Sequence, residues 1–79
     1  MPGDLLEYLA KALVEKPEAV KVESFDDDDN GSLVLELSVD DDDYGHVIGR
    51  GGRTASALRT VVKAAGSRQD RRVLVDIVD

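Results

Sequence analysis

Four consecutive residues, Gly49-Arg50-Gly51-Gly52, are the stretch of this chain best suited to chemistry. Glycines at both ends let the backbone reverse sharply and approach a ligand with no Cβ in the way. Apolar periodicity predicts a helix starting directly afterwards, so its unbonded N–H groups and positive dipole end would face whatever lies against the turn. Arg50 and Arg53 add positive charge beside them. The segment is not a Walker loop, because it lacks the spacing and the closing lysine-hydroxyl pair. Nor is it a dinucleotide fingerprint, because helical rather than strand-like sequence precedes it. On these four residues alone, a grip on a nucleic-acid backbone and a tight helix–helix turn are equal readings.

The other candidates carry less. Asp26-x-Asp28-x-Asn30-Gly31 matches the first half of a calcium loop, but the twelfth position, which requires a bidentate glutamate, is Leu37, and Glu36 misses it by one residue. It reads as a solvated hairpin tip. The second run, Asp40 to Asp43, has no ligand spacing and reads as helix capping and solubility. His46 has no triad partners and is expected on an exposed helical turn. Tyr8 and Tyr44 are expected as half-buried packing residues, since a stacking platform needs aromatics grouped on one surface. With no cysteine and one histidine, disulfides, thiolate chemistry and a structural zinc site lack their ligands. No paired carboxylates, metal cluster or activated nucleophile stands at a credible spacing, so neither an enzyme nor a cofactor is expected.

The net charge of −7, taken alone, argues against a polyanionic partner. That average hides a segregation. Residues 1–45 carry three lysines against fourteen acids, whereas residues 46–72 carry Arg50, Arg53, Arg59, Lys63, Arg68, Arg71 and Arg72 against Asp70 alone. Local sign matters more than net sign, because exposed charges are screened beyond ~8–10 Å. No run approaches the ~20 apolar residues of a membrane span, and no basic-then-apolar leader opens the chain. Seventy-nine residues, 42% hydrophobic and 34% charged, read as one folded cytoplasmic domain over residues 1–79.

Elements must position the glycine segment. Asp4 and Glu7 stand as in a capping box, Leu5, Leu6, Leu9, Ala12 and Leu13 recur at helical spacing, and Pro17 disfavours helix at Lys16. A helix is therefore predicted over 4–16. Alternation predicts strands at 19–25 and 32–39, the second with Leu33, Leu35, Leu37 and Val39 on one face, joined by a turn at Asn30-Gly31. A short helix over 41–48 precedes the glycines. A longer one runs to Ala65 with Ala57, Leu58, Val61, Val62 and Ala65 as its buried stripe, and Gly66 stands as a left-handed stop. A polar loop at 67–72 leads into a strand at 73–78. The fold class is α+β, order α-β-β-α-α-β, with a three-stranded mixed sheet, the 33–39 run central, the last strand parallel to it and the helices on one face.

Val47-Ile48-Gly49-Arg50-Gly51-Gly52-Arg53 resembles the V-I-G-x-x-G core of the KH domain family, whose GxxG loop clamps about four nucleotides of backbone. The element order resembles the type II arrangement, and the resemblance is closest to small bacterial RNA-binding proteins made of a single KH domain, the KhpA type. It extends over Pro17-Glu18-Ala19-Val20, Tyr44-Gly45, Arg53-Thr54, Ala57-Leu58-Arg59-Thr60 and Ala64-Ala65-Gly66. The resemblance implies that Gly49 and Gly52 shape the loop and that Arg50 and Gly51 meet phosphates. It also implies that Val47 and Ile48 begin an apolar floor under the bases, and that Arg53 and Thr54 open the helix beneath the backbone. Arg68, Arg71 and Arg72 would border the groove from the family's variable loop. Arg59 and Lys63, one turn apart, read equally as peripheral phosphate contacts or as solvated charge. Single-stranded RNA is thus the expected partner, in a post-transcriptional regulator or RNA chaperone. The competing expectation is a protein-interaction module that forms a homodimer or pairs with a larger KH-containing RNA-binding protein.

Overall fold

The computed structural model describes residues 1–27, 29 and 31–78. Helix α1 spans Pro2–Leu13, ahead of the expected 4–16 at both ends. Pro2 occupies the first helical position, where its missing N–H costs nothing and its fixed φ seeds the turn, so Met1 rather than Asp4 is the cap and no capping box forms. The helix stops before Pro17 acts on it. Val14 is already extended, and the amides of Glu15 and Lys16 donate to the two carboxylate oxygens of Asp43, each at 3.1 Å.

Pro17–Ala19 closes a 3-10 turn that takes up the residues expected to open the first strand. Strand β1 is therefore Lys21–Asp27, and β2 is Ser32–Ser38. At the hairpin tip Asp27 accepts the Asp29 amide on its carboxylate (3.1 Å) and the Gly31 amide on its carbonyl (2.8 Å), with Gly31 at φ 72°. Asp28 and Asn30 of the expected turn lie outside the described residues. A 3-10 turn at Asp41–Asp43, capped by the Asp40 carboxylate on the Asp42 amide (3.0 Å), leads into α2, Tyr44–Ile48. Helix α3 is Arg53–Ser67, and β3 is Val73–Ile77.

The sheet has the expected order β1-β2-β3, with β1–β2 antiparallel and β2–β3 parallel in the register Leu33↔Val73 to Leu37↔Ile77. The apolar alternation of β2 puts Leu35, Leu37 and Val39 under the helices. There they meet Leu6 and Ala10 of α1, Val47 of α2, Leu58 and Val62 of α3, and Val73 and Val75 of β3.

Three expectations need correction. Ala57 and Val61 of α3 face solvent; the buried positions are Ala55, Leu58, Val62 and Gly66. Gly66 is not a left-handed stop. It lies inside α3 against the start of β3, where a Cβ would come within 2.4 Å of Val73 Cγ2 and 2.9 Å of the Arg71 carbonyl. Small size, not backbone freedom, is what that position requires, and the left-handed residue of the connection is Asp70 at φ 56°. Tyr8 is 72% exposed, whereas Tyr44 is half-buried and donates its hydroxyl to the Val78 carbonyl.

The aspartate run hides a fourth departure. Asp40, Asp41 and Asp42 are solvated or partly so, but Asp43 is 2% exposed. Lys16 Nζ stands 3.4 Å from both Asp40 and Asp42; the Asp42 hydrogen bond and the Asp40 charge raise the lysine pKa, while the Asp42 amide holds Asp40 below its usual carboxylate value. Replacing Asp43 by alanine removes two charge-assisted bonds and leaves two amides without their acceptor. We expect a loss of about 2–3 kcal/mol, equivalent to roughly 10–20 °C in Tm for a domain of this size. Asp41→Ala, at an exposed neighbour, should stay within about 0.5 kcal/mol. Thermal melts of both variants beside the parent test the contrast.

Candidate nucleic-acid interface

Helix α2 ends where Gly49 takes φ 76° and ψ 172°, a region open essentially to glycine alone, while its amide still bonds the Gly45 carbonyl at 3.0 Å. Arg50–Gly52 then forms one 3-10 turn closed by Gly52 N–H on the Gly49 carbonyl (3.1 Å). Gly51 and Gly52 both sit in the left-handed region, at φ 64° and 77°. Gly52 is the cap of α3 and supplies no side-chain acceptor; the Arg53 amide bonds the Arg50 carbonyl, and the rest of the first turn of α3 has no side-chain cap. Gly49 has a second reason to be glycine. A Cβ there would lie 2.2 Å from Thr54 Oγ1 and 2.9 Å from the Thr54 amide, so the first turn of α3 is packed directly on it. Around Gly51 and Gly52 a Cβ would meet nothing within 4 Å.

The residues from Val47 to Thr54 are thus brought together at one helix–helix junction. Arg50, Gly51 and Arg53 are exposed, Gly49, Gly52 and Thr54 are partly buried, and Ile48 is 37% exposed. Val47 is entirely buried in the core, so it props the loop from behind and presents no surface to a ligand. His46, as expected, lies on the exposed side of α2, 3.8 Å from Asp43.

Arg68, Arg71 and Arg72 lie beyond the far end of α3, ~20 Å down the helix axis from Arg53 at ~1.5 Å per residue. The structure does not gather them at the glycine loop. Arg71 pairs with Asp26, and Arg71 and Arg72 join Lys63, Ser67 and Leu74 around a separate hollow of about 410 Å³. What connects the two ends is a lane on α3. Arg59, Lys63 and Ser67 follow each other at four-residue spacing on the face toward β3, whereas Arg53, six residues before Arg59, lies about a third of a turn off that line. Arg59 is not loose charge, because its Nε donates to the Val75 carbonyl at 3.2 Å. The four-residue spacing was visible in the sequence; the strand edge that Arg59 meets was not. Chemically, the site offers backbone N–H groups, a fixed reversal without Cβ atoms, and cations on both flanks, which suits phosphate oxygens.

Comparison with known proteins identifies the family and the fold. The family description "KhpA/KhpB, KH domain" matches residues 3–77. The RNA-binding protein KhpA of Halalkalibacterium halodurans is 55% identical over 75 residues, covering 95% of this chain and 96% of that protein. The RNA-binding protein KhpA of Streptomyces coelicolor is 50% identical over 77 residues, covering 98% and 95%. Among solved structures, that of Era from Aquifex aeolicus superposes with a TM-score of 0.63 at 22% identity, a likeness of fold alone; the match covers 96% of this chain but only 29% of Era.

The two outer glycines of the loop should respond unequally to alanine. Gly49→Ala combines a forbidden backbone region with a steric overlap on Thr54, and should cost about 3 kcal/mol or more. Gly52→Ala meets only left-handed strain, about 1–2 kcal/mol. Urea unfolding of the two variants should separate them by midpoint at unchanged slope.

Proposed function

The chain belongs to the KhpA/KhpB KH-domain family, and on that premise we propose that it binds single-stranded RNA in a groove around Gly49–Gly52. The observation that carries the proposal is a loop of three positive-φ glycines that holds exposed Arg50 directly before the first turn of α3, which has no side-chain cap. In this reading Gly49 and Gly52 hold the reversal, Arg50 and the Gly51 amide meet phosphates, and Arg53 and Thr54 support the backbone as it passes onto α3. Ile48 offers the apolar surface for bases, which favours splayed single strands over duplexes. Arg59 and Lys63 continue the path toward Arg68, Arg71 and Arg72. The protein acts in the cytoplasm as a post-transcriptional regulator or RNA chaperone. Among the described residues no helix is long and apolar enough to cross a membrane.

A second reading, compatible with the first, rests on a different surface. Leu13 is 40% and Val61 47% exposed, and with Leu9, Ala57 and Leu58 they line an apolar groove of about 270 Å³ between α1 and α3. It is the surface by which the protein pairs with a second copy or with a larger KH-containing RNA-binding partner.

Two experiments test these readings. In the parent, log affinity for a single-stranded RNA should fall with log salt at a slope of about −1.5 to −3, for two to four phosphate contacts. Combining Arg50→Asp with Gly51→Asp removes one positive charge, adds two negative ones and keeps Gly49 and Gly52. Aspartate tolerates the left-handed region at Gly51 for about 1 kcal/mol. The double variant should melt within roughly 8 °C of the parent and lose RNA affinity about a hundredfold or more. A folded variant that binds like the parent removes the loop from the function. For pairing, Val61→Glu should leave RNA binding by the monomer in place and abolish self-association in sedimentation velocity; an unchanged oligomeric state excludes this groove.

A further inference from the structure

Among the described residues, no helix packs on the face of the sheet turned away from α1, α2 and α3. Side chains alternate along each strand, so with Leu35, Leu37, Val73 and Val75 in the core, the residues between them share the open face. The register stacks these into two rows across the strands: Phe25, Val34 and Leu74 in one, Glu23, Glu36 and Asp76 in the other. At ~4.8 Å between strands and ~3.3 Å per residue, each row is ~10 Å wide and the rows lie ~7 Å apart.

Neither row belongs to the buried core. Phe25 is 47% exposed and Leu74 38%. Three carboxylates directly opposite one another weaken a sheet; among the described residues the cation recorded beside them is Lys21, 3.9 Å from Glu23 and itself 70% exposed. Solubility would be served by acids placed anywhere, and it does not call for an apolar row alongside them. Phe25 and Val34 also line, with Asp27 and Glu36, an open hollow of about 530 Å³.

We propose that this face docks a positively charged segment of a partner protein, one carrying apolar side chains beside its lysines or arginines. The carboxylate row complements the charge, and the Phe25–Val34–Leu74 row takes the apolar side chains out of water. The same carboxylates repel a polyanion. Because the glycine loop lies on the helical side, RNA at the loop and the basic segment would be held at once, on opposite faces, with Leu74 alone also bordering the Arg71–Arg72 hollow.

The test uses the full chain, labelled with ¹⁵N, and a short peptide alternating arginine with leucine. Amide shifts are expected at Glu23, Phe25, Val34, Glu36, Leu74 and Asp76, and single-stranded RNA should not reverse those at Glu23, Phe25, Val34 and Glu36. A peptide with serine in place of leucine should bind about tenfold more weakly. Asp76→Lys, and independently Glu36→Gln, should weaken the leucine peptide with the fold intact. Shifts spread evenly over the Asp26–Asp29 and Asp40–Asp43 runs overturn the proposal, as do equal affinities for the two peptides or for parent and both variants. Concentration-dependent shifts on this face in the parent alone would make the occupant a second copy and also overturn it.

Discussion

The carboxylate of Asp43 is the constraint on which the arrangement turns. It accepts the amides of Glu15 and Lys16, the first residues past α1, and it stands at the threshold of α2. One side chain thereby joins the end of the first helix to the start of the helix–loop–helix that carries the glycines. A carboxylate side chain at 2% exposure is tolerable only when its oxygens are satisfied. These two bonds satisfy one oxygen each, and they serve amides that the end of α1 and the following turn leave without backbone partners. Position, and with it the direction in which the glycine loop points, is set by a contact between residues 27 and 28 apart in sequence.

From that joint outward, charge is sorted by face. The helical side carries Arg50 and Arg53 at one end of α3 and Arg59 and Lys63 along it, while the open face of the sheet carries Glu23, Glu36 and Asp76. Exposed charges act over about one Debye length, ~8 Å at physiological salt, so a sheet and a helical layer are thick enough to keep the two fields apart. A chain of net charge −7 can therefore present a cationic lane to a phosphate backbone without contradiction.

Much of this was legible in the residues, for identifiable reasons. Alternation in Ser32–Val39 is strict enough to name the buried face, and the sheet order follows from it with the helix-filled connection to Val73. The Gly49–Gly52 segment announces itself by composition. What the sequence concealed were contacts between distant elements. Four consecutive aspartates look alike until Glu15 and Lys16 come round to meet the fourth. Gly66 looks like a helix terminator because the usual use of glycine after a helical stripe is a left-handed stop, and only the nearness of Val73 shows that its missing Cβ is the point. Val61 and Ala57 fit the helical period of a core stripe, yet α1 packs one position away from them and leaves them in water. For the candidate site, the local part from Val47 to Thr54 was readable. The arginines after α3 were assigned to the same groove by resemblance, and the fold sets them a helix length away.

Strand β3 is an edge strand, rich in valine and isoleucine, and such an edge is a template for unwanted pairing with another chain. Its bonds to β2 run through the Arg72 carbonyl and the Val78 amide, so the peptide groups of Val75, in step with neither, face outward. The guanidinium of Arg59 lies over the outward carbonyl of Val75, and Tyr44 takes the carbonyl of Val78 at the strand's end. The occupied Val75 carbonyl is one fewer rung for a foreign strand, and Asp76 sets a negative charge beside it. The same helix that lines the cationic lane thus also guards the protein against amyloid-like growth from its own border.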